Sequence, residues 1–261
     1  MTRAIAIALQ KGGVGKTTTT INLGAQLAAL GRKVLLIDMD QQAHTTKGLG
    51  VTLGADDATM YEVLHPERDM RVPLAEIIRS TEWGVDVAPA HLAMRKHERS
   101  GLGSGGQLRL ARQLDELDGY DYVLLDCPPA LGELTAAALA AADDVLAVLK
   151  AGSDEVDGLI ELGNSVDDAQ ETFNGDLEIR YVLLTDFDGQ PVASRNVRDL
   201  LIRDWGEWKD GGAYIGEIPH TVRVVEAKGL QIPIHIHAPT SSAAVAYKDA
   251  ARRLDERINA S

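Results

Sequence analysis

Short apolar runs alternate along the chain with longer stretches whose apolar residues recur at helical spacing. The first run, RAIAIAL over residues 3–9, is almost wholly apolar, as a strand buried on both faces of a parallel sheet must be. A glycine-rich turn follows. After it Ile21, Leu23, Ala25, Leu27, Ala28 and Leu30 give a broad buried helical face, and Gly31 stands where a left-handed residue closes a helix. Further strands are predicted at 33–37, 85–88, 122–125, 144–149, 180–184 and 214–218, with helices at 108–117, 134–141, 156–172, 194–205 and 242–258. This alternation predicts the α/β class: a doubly wound, mainly parallel sheet with helices on both faces and ligands at the carboxyl ends of its strands.

Composition narrows the picture. With 261 residues, 45% hydrophobic and 25% charged, the chain can bury a sizeable core. No Pro/Gly/Ser-rich linker or like-charge block divides it, so residues 1–261 are expected to form one domain, and only 100–106 look loose. The single cysteine, Cys127, excludes a disulfide framework or a cysteine-held cluster within one chain. No run approaches the roughly 18 apolar residues of a membrane span, and the N-terminus leads straight into a strand pattern, so a soluble cytoplasmic protein is expected. A formal net charge of −13 argues against coating nucleic acid over the whole surface, while a local basic patch remains permitted.

The candidate chemistry falls at the predicted strand ends. Lys11-Gly12-Gly13-Val14-Gly15-Lys16-Thr17-Thr18 lies between strand and helix, where backbone N–H groups and a helix N-terminus can surround phosphate oxygens. The glycines permit close backbone approach, Lys16 can reach the β- and γ-phosphates, and the Thr17 hydroxyl can ligate Mg²⁺. The generic pattern would need glycine at Gln10. A second predicted strand delivers Asp38 and Asp40, which share a side if the segment is extended. A third ends in Asp126-Cys127-Pro128-Pro129, the layout in which the acid holds Mg²⁺ directly or through water.

These segments resemble the ParA/MinD superfamily of P-loop ATPases. Lys11 to Thr17 matches its deviant Walker A motif, KGGxGK[ST]; Asp38-Met39-Asp40-Gln41-Gln42 matches its D-x-D-x-Q segment, with Gln41 where proline is common; the Asp126 run matches its D-C/T-P-P. The reading IPHTVRVVEAKGLQIPIHIHAPTSSAAVAY from Ile218 looks like the family's closing segment, so the similarity spans nearly the whole chain.

The resemblance implies ATP and Mg²⁺ as ligands and an ATP-sandwich homodimer in which Lys11 reaches the partner's phosphates. It implies catalytic roles for Lys11, Lys16 and Asp40, the last orienting the attacking water, with Asp38 supporting the Mg²⁺ and Thr17 shell. Pro219 would help enclose adenine. ParA relatives bind DNA non-specifically in the ATP dimer; the matching basic positions are Arg195, Arg198, Arg223, Lys228, Lys248 and Arg252, which otherwise read as a solvated face among nearby acids. The implied activity is slow ATP hydrolysis stimulated by a ParB-type or other adaptor, in a nucleoid-associated protein that positions plasmid, chromosome or a protein assembly such as a microcompartment.

Three alternatives stay open. A MinD-like membrane-associated regulator would use the last helix, whose apolar stripe of Tyr247, Ala250, Leu254 and Ile258 is backed by a polar face of mixed charge, unlike a membrane-binding helix. A metabolic ligase would need a further substrate pocket. His235 and His237, on one side of an extended segment, could chelate a metal. Two positions depart from the family: Lys150 where glutamine is usual, able to touch nucleotide or partner or to pair with an acid, and His220 where arginine is frequent.

Overall fold

The computed structural model describes residues 2–152 and 155–260. Its elements run β1 (Arg3–Ala8), α1 (Lys16–Ala29), β2 (Val34–Asp38), α2 (His44–Gly48), α3 (Met60–Val63), α4 (Leu74–Ile77), β3 (Arg79–Ser80), β4 (Asp86–Ala88), α5 (Arg95–Ser100) and α6 (Arg109–Asp115). They continue β5 (Tyr122–Asp126), α7 (Glu133–Ala141), β6 (Asp144–Lys150), α8 (Glu155–Thr172), β7 (Glu178–Phe187), α9 (Val192–Trp205), β8 (Tyr214–Pro219), α10 (Val222–Leu230), α11 (Ile234–His237) and α12 (Ser242–Ala260). The eight strands form one sheet in the order β3-β4-β2-β5-β1-β6-β7-β8, parallel except at the short β3–β4 pair. The expected α/β class and strand alternation hold.

Alternation along β1 divides the core in two. Ala4, Ala6 and Ala8 face one apolar layer with Leu134, Leu162 and Leu201 of the helices, while Ile5 and Ile7 face the other with Leu23, Leu27 and Leu254. On that second face α1 lies so close to the sheet that a methyl group on Gly24 would stand 2.6 Å from Leu36 Cδ2. Gly31, at φ 87°, ends α1 by donating its N–H to Ala28 O, and Arg32 donates to Leu27 O. Because β1 lies between β5 and β6, with β2 beyond β5, the carboxyl ends of β1, β2 and β5 open on one crevice.

Two expectations, on the 100–106 stretch and on the two histidines, need correction. The stretch over 100–106 is pinned: Leu102 is fully buried, and the Arg109 guanidinium donates to Leu64 O at 2.6 Å and Leu102 O at 3.3 Å. His235 and His237 do not share a side of an extended segment. They sit two apart in the helical turn α11, about 200° around the axis, and His237 Nε2 lies 3.3 Å from Glu226. Among the described residues no cluster of three His, Cys, Asp or Glu side chains converges as a metal cage. The apolar stripe of α12 is turned inward, with Tyr247, Ala250 and Leu254 buried against α1 and the sheet. No helix among the described residues is long and apolar enough to cross a membrane.

Candidate functional site

The loop between β1 and α1 is built by two left-handed glycines, Gly13 at φ 79° and Gly15 at φ 94°, the latter capping α1. A side chain at Gly15 would be strained by this φ and would crowd Thr185 Oγ1, 3.2 Å from its Cβ position. Thr185, at the end of β7, secures the loop from outside: its hydroxyl lies 2.5 Å from Val14 O and 3.0 Å from Leu149 O. Lys16 folds over the same loop and donates to Leu9 O at 3.0 Å and Lys11 O at 2.8 Å. Burial pushes its ammonium down, and the nearby Asp126 opposes that shift.

Two buried carboxylates face this loop. The ladder places Asp38, the last residue of β2, beside Asp126, the last of β5. Asp126 accepts from Thr17 Oγ1 at 2.8 Å, Thr45 Oγ1 at 2.6 Å and Thr20 Oγ1 at 3.3 Å. Asp38 accepts from the Thr46 N–H at 2.8 Å, the Thr46 hydroxyl at 2.7 Å and the Asp40 N–H at 3.1 Å. Burial, and then Asp126, push the Asp38 carboxyl up; burial pushes Asp126 up too, against hydrogen bonds from Thr45 and Thr17. Two desolvated acids side by side make a wall that calls for positive charge. Asp40 follows β2 and braces the turn into α2, its Oδ1 accepting the Gln42 N–H at 2.9 Å.

Direct support of Thr17 therefore comes from Asp126, while Asp38 acts through Thr46 and the Asp40 backbone. Thr45, Thr46 and Thr185 had no sequence signal of their own beyond the threonine pair that follows Asp40. Cys127 is buried, and burial with Asp126 pushes its thiol up to about 12, so it packs as an inert group.

Beside the loop opens a cavity of about 150 Å³, walled by Gly13, Gly15 and Thr18 on one side and by Asp186, Pro219 and Val224 on the other. At its rim Lys150, the residue that stands in place of the family's glutamine, pairs with Asp186 Oδ2 at 2.5 Å, and His220 Nδ1 meets Asp186 Oδ1.

A family model described as an AAA domain matches residues 2–179. The sporulation initiation inhibitor protein Soj of Bacillus subtilis is 37% identical over 257 residues, covering 97% of this chain and 98% of Soj. The chain belongs to the ParA/Soj family of P-loop ATPases. The chromosome partitioning protein ParA of Caulobacter vibrioides is 36% identical over 98% of this chain and 94% of its own. Among solved structures, cobyrinic acid a,c-diamide synthase of Mycobacterium smegmatis with a bound ATP analogue and magnesium superposes with a TM-score of 0.82 at 30% identity, over 99% of this chain and 96% of its own.

The six basic positions that the ParA resemblance marks are not gathered into one unopposed patch. Arg195 donates to Gly189 O and Gln190 O, Arg198 pairs with Asp199, Arg223 with Glu226 and Arg252 with Glu256. Lys228 lies on α10 beside Thr17 and Thr18, with Arg223 exposed on the same helix, whereas Lys248 and Arg252 lie exposed on α12.

Proposed function

We propose that this ParA/Soj-family chain is an ATP- and Mg²⁺-dependent switch that dimerises on ATP, binds DNA non-specifically as the dimer, and hydrolyses ATP slowly until a ParB-type partner stimulates it. The cargo would be a plasmid, a chromosome or a large assembly. The observation that carries this reading is the convergence of Lys16, Thr17, Asp126 and Asp38 on one crevice at the sheet's carboxyl edge.

The donor set fits the ligands. Thr17 and Asp126 offer the hard oxygen ligands that Mg²⁺ takes when phosphates and water complete its shell, and a divalent charge beside Asp126 would oppose the upward push of burial on its carboxyl. Bound Mg²⁺ would neutralise charge on the β- and γ-phosphates. Lys16 exchanges its loop carbonyls for phosphate oxygens, the loop amides orient the chain of phosphates, and Asp40 positions water opposite the leaving group. Lys11 completes the partner's phosphate site in the dimer, and Pro219 closes over the base.

The inward-turned stripe of α12 and its ion pairs support a docked helix over a MinD-like membrane anchor. Sedimentation with sonicated DNA and with liposomes, each with Mg²⁺ and ATP or ADP, tests the reading. DNA co-sedimentation that requires ATP and is lost at raised salt is expected; ATP-dependent pelleting with liposomes alone would replace it with the membrane reading.

A further inference from the structure

Two of the chain's departures from its family meet on a third residue. Lys150 ends β6, His220 follows β8, and both contact the carboxylate of Asp186 at the end of β7. Three neighbouring strand ends are thus tied at one acid on the rim of the cavity beside the phosphate loop.

Asp186 reaches this position by an unusual backbone. It is one of three non-glycine residues with positive φ among those described, at 53°, and the β7–β8 ladder shifts register between Leu184 and Phe187 around it. Aspartate tolerates the left-handed region better than most residues, at a cost that structures retain where geometry matters. The turn makes the side chain a lining group of the cavity.

Position and charge define what such a carboxylate can serve. Gly13, Val14, Gly15 and Thr18 of the phosphate loop line the cavity, so phosphates belong on that side; the rest of the lining, with Ile218, Pro219, Val224, Val225 and Tyr247, is apolar apart from Thr185, Asp186, His220 and Thr221. A bare carboxylate beside a polyphosphate would repel it. Lys150 and His220 offset that charge, and their contacts hold the Asp186 carboxyl below the usual range against the opposing effect of partial burial. Each carboxylate oxygen takes one of these contacts and keeps accepting capacity for another donor.

We propose that Asp186 is the residue that reads the nucleoside half of the nucleotide, accepting a hydrogen bond from a base amino group or a ribose hydroxyl while Lys150 and His220 hold it in place. The inference rests on the nucleotide-binding reading above and adds its selectivity. Lys150 and His220 are positioning residues in this scheme.

Calorimetric titration of the full chain with Mg²⁺ and ATP, inosine triphosphate, 2′-deoxy-ATP, 3′-deoxy-ATP or tripolyphosphate tests it. For Asp186→Asn, whose folding is checked by its melting temperature, ATP affinity should fall at least about tenfold, the scale of one hydrogen bond to a charged group, with tripolyphosphate affinity unchanged. The analogue whose affinity the substitution leaves untouched identifies the missing donor: inosine triphosphate the base amine, a deoxy analogue the ribose. Lys150→Gln should give a weaker loss of the same pattern. Equal losses for ATP and tripolyphosphate, or no loss for ATP, would overturn the assignment. Lys16→Ala separates the two readings: it should abolish both affinities, and if it leaves both intact the nucleotide site itself is wrong.

Discussion

The Thr17 hydroxyl donates a 2.8 Å hydrogen bond to Asp126 across 109 residues of sequence, joining the phosphate loop to the end of a neighbouring strand. The same carboxylate oxygen accepts from Thr45, so the first turn of α1, β5 and α2 share one buried acid. Nucleotide contact and the order of α2 are therefore linked through Asp126.

That linkage separates two threonine substitutions. Thr45 is fully buried and Thr17 is not, so Thr45→Val should leave Asp126 short of a donor in a desolvated site and cost about 1–3 kcal/mol of stability without nucleotide. Thr17→Ala should cost less stability but weaken Mg²⁺-dependent nucleotide binding. Chemical denaturation and calorimetry on the two variants check the contrast; equal stability losses would show that burial does not govern the pair.

Asp40 makes a cleaner test of chemistry. Among the described residues its carboxylate accepts only the Gln42 N–H, so Asp40→Ala should fold and bind ATP normally. Hydrolysis should fall about a hundredfold or more, the usual scale for a positioned acid–base group. Normal single-turnover hydrolysis would remove Asp40 from the mechanism.

What sequence could reveal follows from how local each signal is. The strand–glycine–helix order at residues 3–30, the strand ending in Asp126 and the Gly31 cap depend on neighbours in sequence, and they stand where the periodicity puts them. The five-residue α2 carries too few turns for a period to register, and α10 leaves Val222, Val225 and Leu230 exposed and buries Ala227, so no apolar stripe marks it. Asp186 was invisible for a different reason: its place depends on a left-handed φ and on three strand ends that meet only in the sheet. The two histidines near the end misled because alternation over four residues is ambiguous between a strand and a single helical turn, and Pro233 starts the latter.

Acid should weaken the fold through His97. This imidazole is buried, stacked on Tyr61 at 4.6 Å, with Nε2 2.8 Å from Tyr61 O. Burial holds it below its ordinary 6.5, so the unfolded chain binds the proton more readily than the folded one. Stability is complete above about pH 6.5 and declines as pH falls through that value. Asp38 and Asp126, raised by burial, act with the opposite sign. The difference between wild type and His97→Gln isolates the effect: the wild-type melting temperature should fall further between about pH 7.5 and 5.5, and parallel profiles would show that His97 does not titrate against folding.

DNA binding should depend on where the basic side chains already have partners. Arg198 is tied to Asp199 and also lies over the Phe187 ring, 5.6 Å from its centroid, so Arg198→Ala should change DNA affinity little. Lys228 is exposed on α10 near the phosphate loop, where a nucleotide-driven dimer can bring two copies to one surface. Each lysine that neutralises a phosphate contributes nearly one unit to the slope of log affinity against log salt. Lys228→Ala should therefore weaken binding to all sequences alike and flatten that slope by about one unit per protomer, measured by ATP-dependent DNA co-sedimentation across a salt series. An unchanged slope for Lys228→Ala with a reduced slope for Arg198→Ala would move the interface from α10 to α9.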